Sequence, residues 1–357
     1  MDPFTHALLG ASVQEVGLRQ KIGRDAAVAG MLAGILPDGD IVMLRFGKFF
    51  WADPQIALIL GHRGVTHSIA AVVILPLLAA AVWWLIRTKV FHRKIPAACQ
   101  PVSFGWLYLC CLAAVVAHVL LDACTSYGTM LYWPFSTYRI AWDCVAIIDP
   151  LFTLIPAAVL VICGLIRRKN GEFSAASVSR TKKTGRWGLV FCVWYLLFGV
   201  ALHYSVIERS LPAQNRADVI QAGAFPVVPS LCEWRVVWET PDGWHVGKVN
   251  AFSSKQAKFN YVPRRHATQI DAARKTKFYK TFCGFTGRML RADVKKRGEM
   301  TDVYFHDMRY GFPPDSPEGL WAYRFEYDGN GRLVSHGRVY PAGRRGLLHR
   351  IKESFKK

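Results

Sequence analysis

Long apolar runs constrain this chain more than any other feature of its sequence. Four of them approach or reach the roughly 17–25 mostly apolar residues that a helix needs to cross a bilayer. They occupy residues 68–86, 105–121, 146–166 and 187–207. Because only helices and closed barrels satisfy every backbone hydrogen bond in lipid, these runs predict a mainly α, helical membrane domain.

A fifth apolar run, at 26–36, is short for a span and predicts a re-entrant, tilted or buried helix. Together with the preceding stretch it predicts two short helices, at roughly 4–16 and 25–36, joined by a polar turn. We expect a hairpin whose open ends meet at one level. The opening residues MDPFTHALLG do not resemble a signal peptide, because a basic segment and a matching cleavage site are missing. The membrane domain should therefore hold about four to five spans and a short N-terminal hairpin.

The pattern changes after residue 207. The chain has a net charge of +20, of which +12 falls in residues 208–357. Apolar and polar residues alternate around turn residues at 233–250 and again at 320–340, which predicts two β-hairpins. We therefore predict a membrane domain over 1–207, followed over 208–357 by a small β-rich α+β soluble domain with a basic tail.

The distribution of Lys and Arg between short loops predicts the orientation in the membrane. The loops near 87–104 and 167–186 are rich in Lys and Arg, whereas the loop near 122–145 contains a single basic residue, Arg139. The first two should be cytoplasmic and the third external. The C-terminal domain should then be periplasmic, because long translocated domains are largely exempt from the charge rule.

Cysteine usage leaves the redox state open. Cys124 with Cys144, and Cys232 with Cys283, each suit a disulfide in an oxidising compartment, but sequence does not define pairing. Four other cysteines serve best as small apolar side chains of spans: Cys110, Cys111, Cys163 and Cys192.

Unusual polar residues fall at the predicted outer ends of the spans. The segment GHRGVTH precedes the first span, HVLLD closes the second, and PDGD ends the short apolar helix. His118 and Asp122 are four residues apart and so share one helix face, as two metal ligands would. A set rich in His and Asp, without Cys, is typical of zinc, or of zinc mixed with manganese or magnesium, in hydrolysis.

Five sequence blocks carry a resemblance to a known family: DPFTHALLG, LPDGDIV, GHRGVTHS, HVLLDACTSYGT and DCVAIIDPLF. In this order, over about residues 1–165, they resemble the LexA-regulated, membrane-bound metal-dependent hydrolase family (the YdjM family). The C-terminal part is similar, through weaker motifs, to the extension of longer members. The resemblance implies a metal-dependent hydrolase of the bacterial inner membrane. It also implies seven metal-site residues: His6, Asp38, Asp40, His62, His67, His118 and Asp122.

The motif positions Arg63, Thr66, Tyr127 and Asp149 also match the family, which does not define their roles. A more distant similarity to zinc-dependent phospholipase C and P1-type nucleases favours phosphoesters. We expect a metal-activated water to attack a phosphoester in a lipid, lipid-linked or anionic envelope substrate. Arg63, whose planar fork matches a phosphate, would bind a non-bridging oxygen. Asp40 or Asp149 would act as base or orient the water.

Other interpretations use the same residues. The motifs taken singly predict a helix cap, a turn and an interfacial anchor. A structural or regulatory metal site beside an extramembrane binding domain is the alternative to catalysis, and such a site is closed, whereas a catalytic site keeps a position open. Transport is disfavoured, because the polar groups cluster at one membrane edge rather than at the midplane. Nucleic-acid binding is disfavoured as well, because the basic stretch 291–298 lacks interleaved aromatic residues.

The predicted orientation is testable with reporter fusions. Alkaline phosphatase fused after residue 207 should be active, because it requires export to the periplasm. The same reporter fused after residue 170, in a predicted cytoplasmic loop, should be inactive. The reverse pattern of activities would place the C-terminal domain in the cytoplasm.

Overall fold

The computed structural model describes residues 1–42, 59–90, 102–212, 216–229 and 231–339. It contains two compact units, which divide between Phe198 and Gly199. The boundary predicted after residue 207 stays a prediction. The predicted basic tail, and the part of the basic loop that carries Arg93 and Lys94, lie outside the described residues.

The N-terminal hairpin forms as predicted. Helix α1 (Pro3–Val13) is followed by the short helix α2 (Arg19–Ile22) and by α3 (Arg24–Ile35). The side chain of Asp2 caps α1 by accepting a hydrogen bond from the Thr5 backbone N–H at 3.0 Å. The hairpin therefore brings the start of α1 beside the end of α3.

Glycines allow α1 and α3 to touch along their backbones. A Cβ placed on Gly30 would lie 2.4 Å from the carbonyl oxygen of Gly10, and one on Gly34 would lie 2.7 Å from that of His6. No side chain fits at these distances. The contact places His6, near the start of α1, beside the last turn of α3.

Four helices among the described residues are long and apolar enough to cross a membrane. They are α4 (Ile69–Leu85, prolonged by a wider helical turn to Val90), α5 (Phe104–Ala123), α6 (Pro150–Asn170) and α7 (Ala175–Ser210). They correspond to the four apolar runs, so this prediction is confirmed.

Helix α5 lies at the centre of the membrane unit. In the apolar stretch of α5, 44% of the residues are buried, compared with 11% in that of α4. It packs through small side chains against α3 and α4, in a core that contains Ala29, Ala33, Ala80, Leu107, Cys111, Ala114, Val115 and Val119. Small residues let helix backbones approach closely in lipid, where the hydrophobic effect does not drive association. Helix α5 thus holds its C-terminal residues His118 and Asp122 in the interior.

The C-terminal unit contains two antiparallel sheets of four strands each, in the orders β1-β2-β3-β4 and β5-β6-β7-β8. The first has β1 (Gln221–Pro226), β2 (Glu233–Thr240), β3 (Gly243–Asn250) and β4 (Phe259–Pro263). The second has β5 (Leu290–Arg297), β6 (Met300–Asp307), β7 (Ala322–Tyr327) and β8 (Leu333–Val339). Helices α8 (Thr268–Lys275) and α9 (Lys277–Phe285) connect the sheets. Both predicted hairpins are present, as β2-β3 and β7-β8.

Among the described residues, the cysteines form no disulfide bond. Cys124 and Cys144 are nevertheless neighbours, since the Cys144 backbone N–H donates to the Cys124 carbonyl at 2.9 Å. Neither pair considered from the sequence is bonded in this structure.

Replacing Gly30 should separate α1 from α3. Gly30→Ala places a methyl group against the Gly10 carbonyl, and overpacking of this kind costs typically about 1–3 kcal/mol. We expect a lower midpoint of thermal unfolding in detergent. Gly105→Ala is the matched control, because nothing lies within 4 Å of a Cβ at that position. Equal midpoints for the two variants would contradict the close contact.

Candidate metal centre

Four side chains from separate parts of the chain converge at one point. Each of Asp38, His67, His118 and Asp122 offers one ligand atom, and these atoms lie within 4.8 Å of one another. Asp38 lies in the 3₁₀ turn after α3 and His67 in the 3₁₀ turn before α4, while His118 and Asp122 lie in the last turns of α5. Among the described residues, this cluster can hold a metal ion.

A backbone carbonyl orients the ring of His118. Its Nδ1 lies 2.7 Å from the carbonyl oxygen of Gly34, which can only accept a hydrogen bond, so Nδ1 carries the proton. Nε2, the nitrogen left available to bind a metal, faces the cluster. Carbonyl groups commonly orient metal-binding histidines in this way.

A chain of two hydrogen bonds orients His67 in the same manner. The Thr66 hydroxyl donates to Oδ2 of Asp40 at 2.9 Å, so it accepts from Nδ1 of His67, also at 2.9 Å. Burial lowers the pKa of His67 to about 4, although the neighbouring carboxylate of Asp122 acts to raise it. The ring is therefore neutral at pH 7, and its Nε2 lone pair faces the cluster.

Both Nε2 atoms meet in a space without a donor between them. Nε2 of His67 and Nε2 of His118 are 3.1 Å apart. They lie 3.2 Å and 3.4 Å from Oδ2 of Asp122, and 3.7 Å and 3.8 Å from Oδ1 of Asp38. The Oδ1 atom of Asp38 is buried and has no hydrogen-bond partner among the described residues. Lone pairs and carboxylate oxygens repel one another in a buried site, so the arrangement calls for a cation.

The donor set fits a divalent metal. Two imidazole nitrogens with two carboxylate oxygens are ligands of zinc, and the same types also suit manganese. His67, His118 and Asp122 are at most 1% exposed, and Asp38 is 9% exposed. The coarser prediction of an Asp/His cluster that can hold a metal ion is confirmed, and the identity of the metal stays a prediction.

The second oxygen of Asp122 is held from the opposite direction. Oδ1 accepts from Nε2 of His6 at 3.0 Å, forms an ion pair with the guanidinium of Arg63 at 3.0 Å, and also contacts the α-amino group of Met1. The ring of His6 stacks on that of His118 with centroids 3.7 Å apart. The structure thus places His6 against Asp122 and outside the four-membered cluster, and its role as a ligand stays a prediction.

Asp40 and His62 form a neighbouring pair. Oδ1 of Asp40 lies 2.9 Å from Nδ1 of His62, and Oδ2 accepts from the Arg63 backbone N–H at 3.0 Å and from Thr66. Burial alone would raise the pKa of Asp40, but the bonds from His62 and Arg63 outweigh it and hold the pKa below its usual range. Asp40 is therefore charged. It ties the turn at 62–66 together and lies one hydroxyl away from His67.

Arg63 is held in a strained and buried position. Its φ of 58° lies in the left-handed region, which a non-glycine residue adopts rarely, and it is 3% exposed. Its guanidinium donates to Oγ1 of Thr125 at 2.7 Å, pairs with Asp122, and lies 5.0 Å from the ring centre of Tyr127. This backbone conformation places the guanidinium of Arg63 directly beside the four donor groups.

Arg139 is a residue of this region that the sequence interpretation did not single out. It is 8% exposed and donates to the carbonyl oxygens of His62 at 2.8 Å and of Gly128 at 3.1 Å. Its guanidinium also lies 5.0 Å from the ring centre of Tyr127. It thus fastens the turn that carries His62 and Arg63. The available signal was its position as the single basic residue of the loop near 122–145.

Asp149 makes its contacts in another place. Its carboxylate caps α6 by accepting from the Phe152 backbone N–H at 3.0 Å, and it accepts from the Tyr195 hydroxyl at 2.8 Å. These bonds join the start of α6 to α7. The structure does not place Asp149 in the metal-binding cluster, and its catalytic role stays a prediction.

Comparison with known proteins identifies relatives of this chain. Over 322 residues, the chain is 25% identical to the "Uncharacterized protein YfhP" of Bacillus subtilis (strain 168), with 87% of each protein covered. It is 29% identical to the "Inner membrane protein YbcI" of Escherichia coli (strain K12) over 113 residues, which are 31% of this chain and 54% of that protein. No solved structure is significantly similar.

The sequence model of one family matches residues 1–206, which contain all the residues of the candidate centre. The match covers more than half of the chain. The chain therefore belongs to the YdjM inner membrane protein family.

Proposed function

We propose that this protein is a metal-dependent hydrolase that cleaves a phosphoester at the outer face of the inner membrane. One observation carries the proposal: two imidazole nitrogens and two carboxylate oxygens face one another in a buried space. A cation would stabilise such a space, and a divalent metal held by Asp and His ligands can promote hydrolysis by activating a bound water.

Asp38, His67, His118 and Asp122 would hold the metal. A divalent cation in such a site acts as a Lewis acid and provides a water-derived nucleophile at neutral pH, because it lowers the pKa of bound water to about 7. The surrounding residues fix the donors in advance. The Gly34 carbonyl and the Thr66 hydroxyl hold both rings in the tautomer that presents Nε2.

Arg63 and Asp40 are suited to the substrate side of the reaction. The Arg63 guanidinium is a permanent cation beside the donor set, where it would stabilise negative charge that develops on a phosphoryl oxygen. Asp40 is charged, and its Oδ2 lies 3.8 Å from Nδ1 of His67. It would orient the attacking water or accept its proton. This geometry favours Asp40 over Asp149, whose carboxylate bonds join α6 to α7.

The surroundings of the cluster favour an amphiphilic substrate. Exposed apolar side chains lie on or next to the segments that carry the donor groups: Ile41 (49%), Ile69 (56%) and Leu120 (49%). Groups of this kind meet lipid when a site lies at the edge of a bilayer. A lipid or lipid-linked phosphoester could reach such a site without leaving the membrane. The predicted orientation would place it on the periplasmic side.

A second candidate function rests on the burial of the cluster. Four protein ligands that are 0–9% exposed also match a closed structural zinc site, in which no position is open for water. In that case the metal would stabilise the membrane unit, and the C-terminal domain would act as a binding module. A catalytic site turns over substrate and a structural site does not. Metal analysis and activity assays on the same purified proteins therefore distinguish the two proposals.

Metal analysis of the detergent-purified protein is the first test. We expect close to one equivalent of zinc or manganese in the wild type, and its loss in His67→Ala and in His118→Ala, because each removes one ligand. Asp122→Asn should retain less metal. His266→Ala, at an exposed position of the C-terminal unit, should retain all of it.

The same preparations are then assayed with phosphomonoester and phosphodiester lipids. Turnover that stops on chelation and returns with metal supports the enzyme. Bound metal without turnover on any phosphoester supports the structural site. A wild type without metal, even after incubation with zinc and manganese, contradicts both.

The Thr66 hydroxyl should matter although it is not a ligand. Thr66→Val keeps the shape of the side chain but breaks the link between His67 and Asp40. Loss of such an outer partner typically lowers metal affinity by about 10–100-fold. Competition with a chelator measures the change, and Thr66→Ser should restore affinity. An unchanged affinity in Thr66→Val would show that His67 does not depend on this bond.

A further inference from the structure

Helices α6 and α7 enclose a cleft that the proposed reaction does not use. Its volume is about 700 Å³ and its lining is almost entirely apolar. On α7, the exposed aromatic side chains Trp187, Phe191 and Trp194 recur at helical spacing and form one wall. The residues of α6 that line the cleft are aliphatic.

A close helix contact shapes the cleft. A Cβ on Gly188 would lie 2.1 Å from Cγ2 of Val159, so the two helices touch at this glycine. Both residues also line the cleft. Because Gly188 has no side chain, the two helices touch at the floor of the cleft. The larger side chains on either side of this contact form its walls. The cleft is a built feature of the helix pair.

The length of the cleft matches one leaflet of a bilayer. Its lining on α6 runs from Leu154 to Ile166, twelve residues on, which at about 1.5 Å per residue is about 18 Å. One leaflet contributes about half of the ~30 Å hydrocarbon core. An extended acyl chain therefore fits along the cleft, with its methyl end towards the bilayer midplane and its headgroup at the polar end of the cleft.

The polar end of the cleft is cationic. Arg180 and Lys183 line it, together with the polar side chain of Thr184. Both cations are exposed, and no ion pair joins them to the described residues. Arg167, on the neighbouring end of α6, is instead paired with Glu15. Two cations next to an apolar slot are complementary to an anion that carries an acyl chain.

We propose that this cleft is a binding site for an anionic phospholipid. One acyl chain lies along Trp187, Phe191 and Trp194, and the phosphate lies between Arg180 and Lys183. The predicted orientation places this end at the cytoplasmic leaflet, whose surface is rich in anionic lipids. The site is separate from the metal centre, so it stands whether or not the protein hydrolyses a phosphoester.

Native mass spectrometry of the full-length protein in detergent tests the site. The probes are dioleoyl phosphatidylglycerol and dioleoyl phosphatidylcholine, which have identical acyl chains and differ in headgroup charge. We expect the protein to bind the anionic lipid more tightly. Arg180→Gln with Lys183→Gln should weaken that binding by about 25-fold, since each cation near an anionic group contributes about fivefold.

Two further variants make the test specific. Arg168→Gln with Lys169→Gln removes two exposed cations from the same end of α6, outside the cleft lining, and should leave binding unchanged. Ala158→Phe fills the apolar part and should abolish tight binding with both cations in place. Each variant is first checked for monodispersity and helix content.

Three results would overturn the proposal. The first is equal affinity for the two lipids, which would indicate a general lipid-facing groove. The second is an equal loss of binding in the cleft pair and the control pair. The third is a dimeric protein that binds no phosphatidylglycerol, which would assign the cleft to a second copy of the chain.

Discussion

The structure of the membrane unit depends on four donor atoms that repel one another. Nε2 of His67 and of His118 are 3.1 Å apart, and both face carboxylate oxygens of Asp38 and Asp122. In a buried site such contacts cost several kcal/mol unless a cation lies among them. A divalent metal would attract all four donor atoms and so offset their mutual repulsion, and the free energy of metal binding would then become part of the free energy of folding.

Helix packing serves this site through a single carbonyl group. His118 presents Nε2 to the cluster because the Gly34 carbonyl holds its Nδ1, which requires the end of α3 to lie against α5. The same glycine lets α3 touch α1 at His6, whose ring contacts Asp122. One residue without a side chain therefore positions two histidines. The small residues around α5 follow from the same need for close backbones.

Much of this could be predicted from sequence, because it depends on local pattern. Span length gave the four helices, and the spacing of His118 and Asp122 placed both on one face. The contacts of Thr66 and Arg139 could not be predicted, because a hydroxyl or guanidinium finds its partner through the tertiary fold. Asp149 illustrates the opposite limit. A carboxylate in an apolar run suggests chemistry, but the sequence does not reveal that it also caps α6 and accepts from Tyr195, as Asp149 does here.

The two ends of the helical unit use their cations differently, and this difference bears on orientation. At the end with the donor groups, the arginines of the described residues are Arg63 and Arg139, both at most 8% exposed. Asp122 and backbone carbonyls bind them, so neither offers its charge to a membrane surface. At the other end, Arg180 and Lys183 are exposed. An anionic leaflet attracts Lys and Arg through their charge, so the burial of Arg63 and Arg139 adds to the asymmetry in basic residues from which the orientation is predicted. A cluster that binds its own arginines would thus favour the predicted orientation, with the donor groups on the outer side.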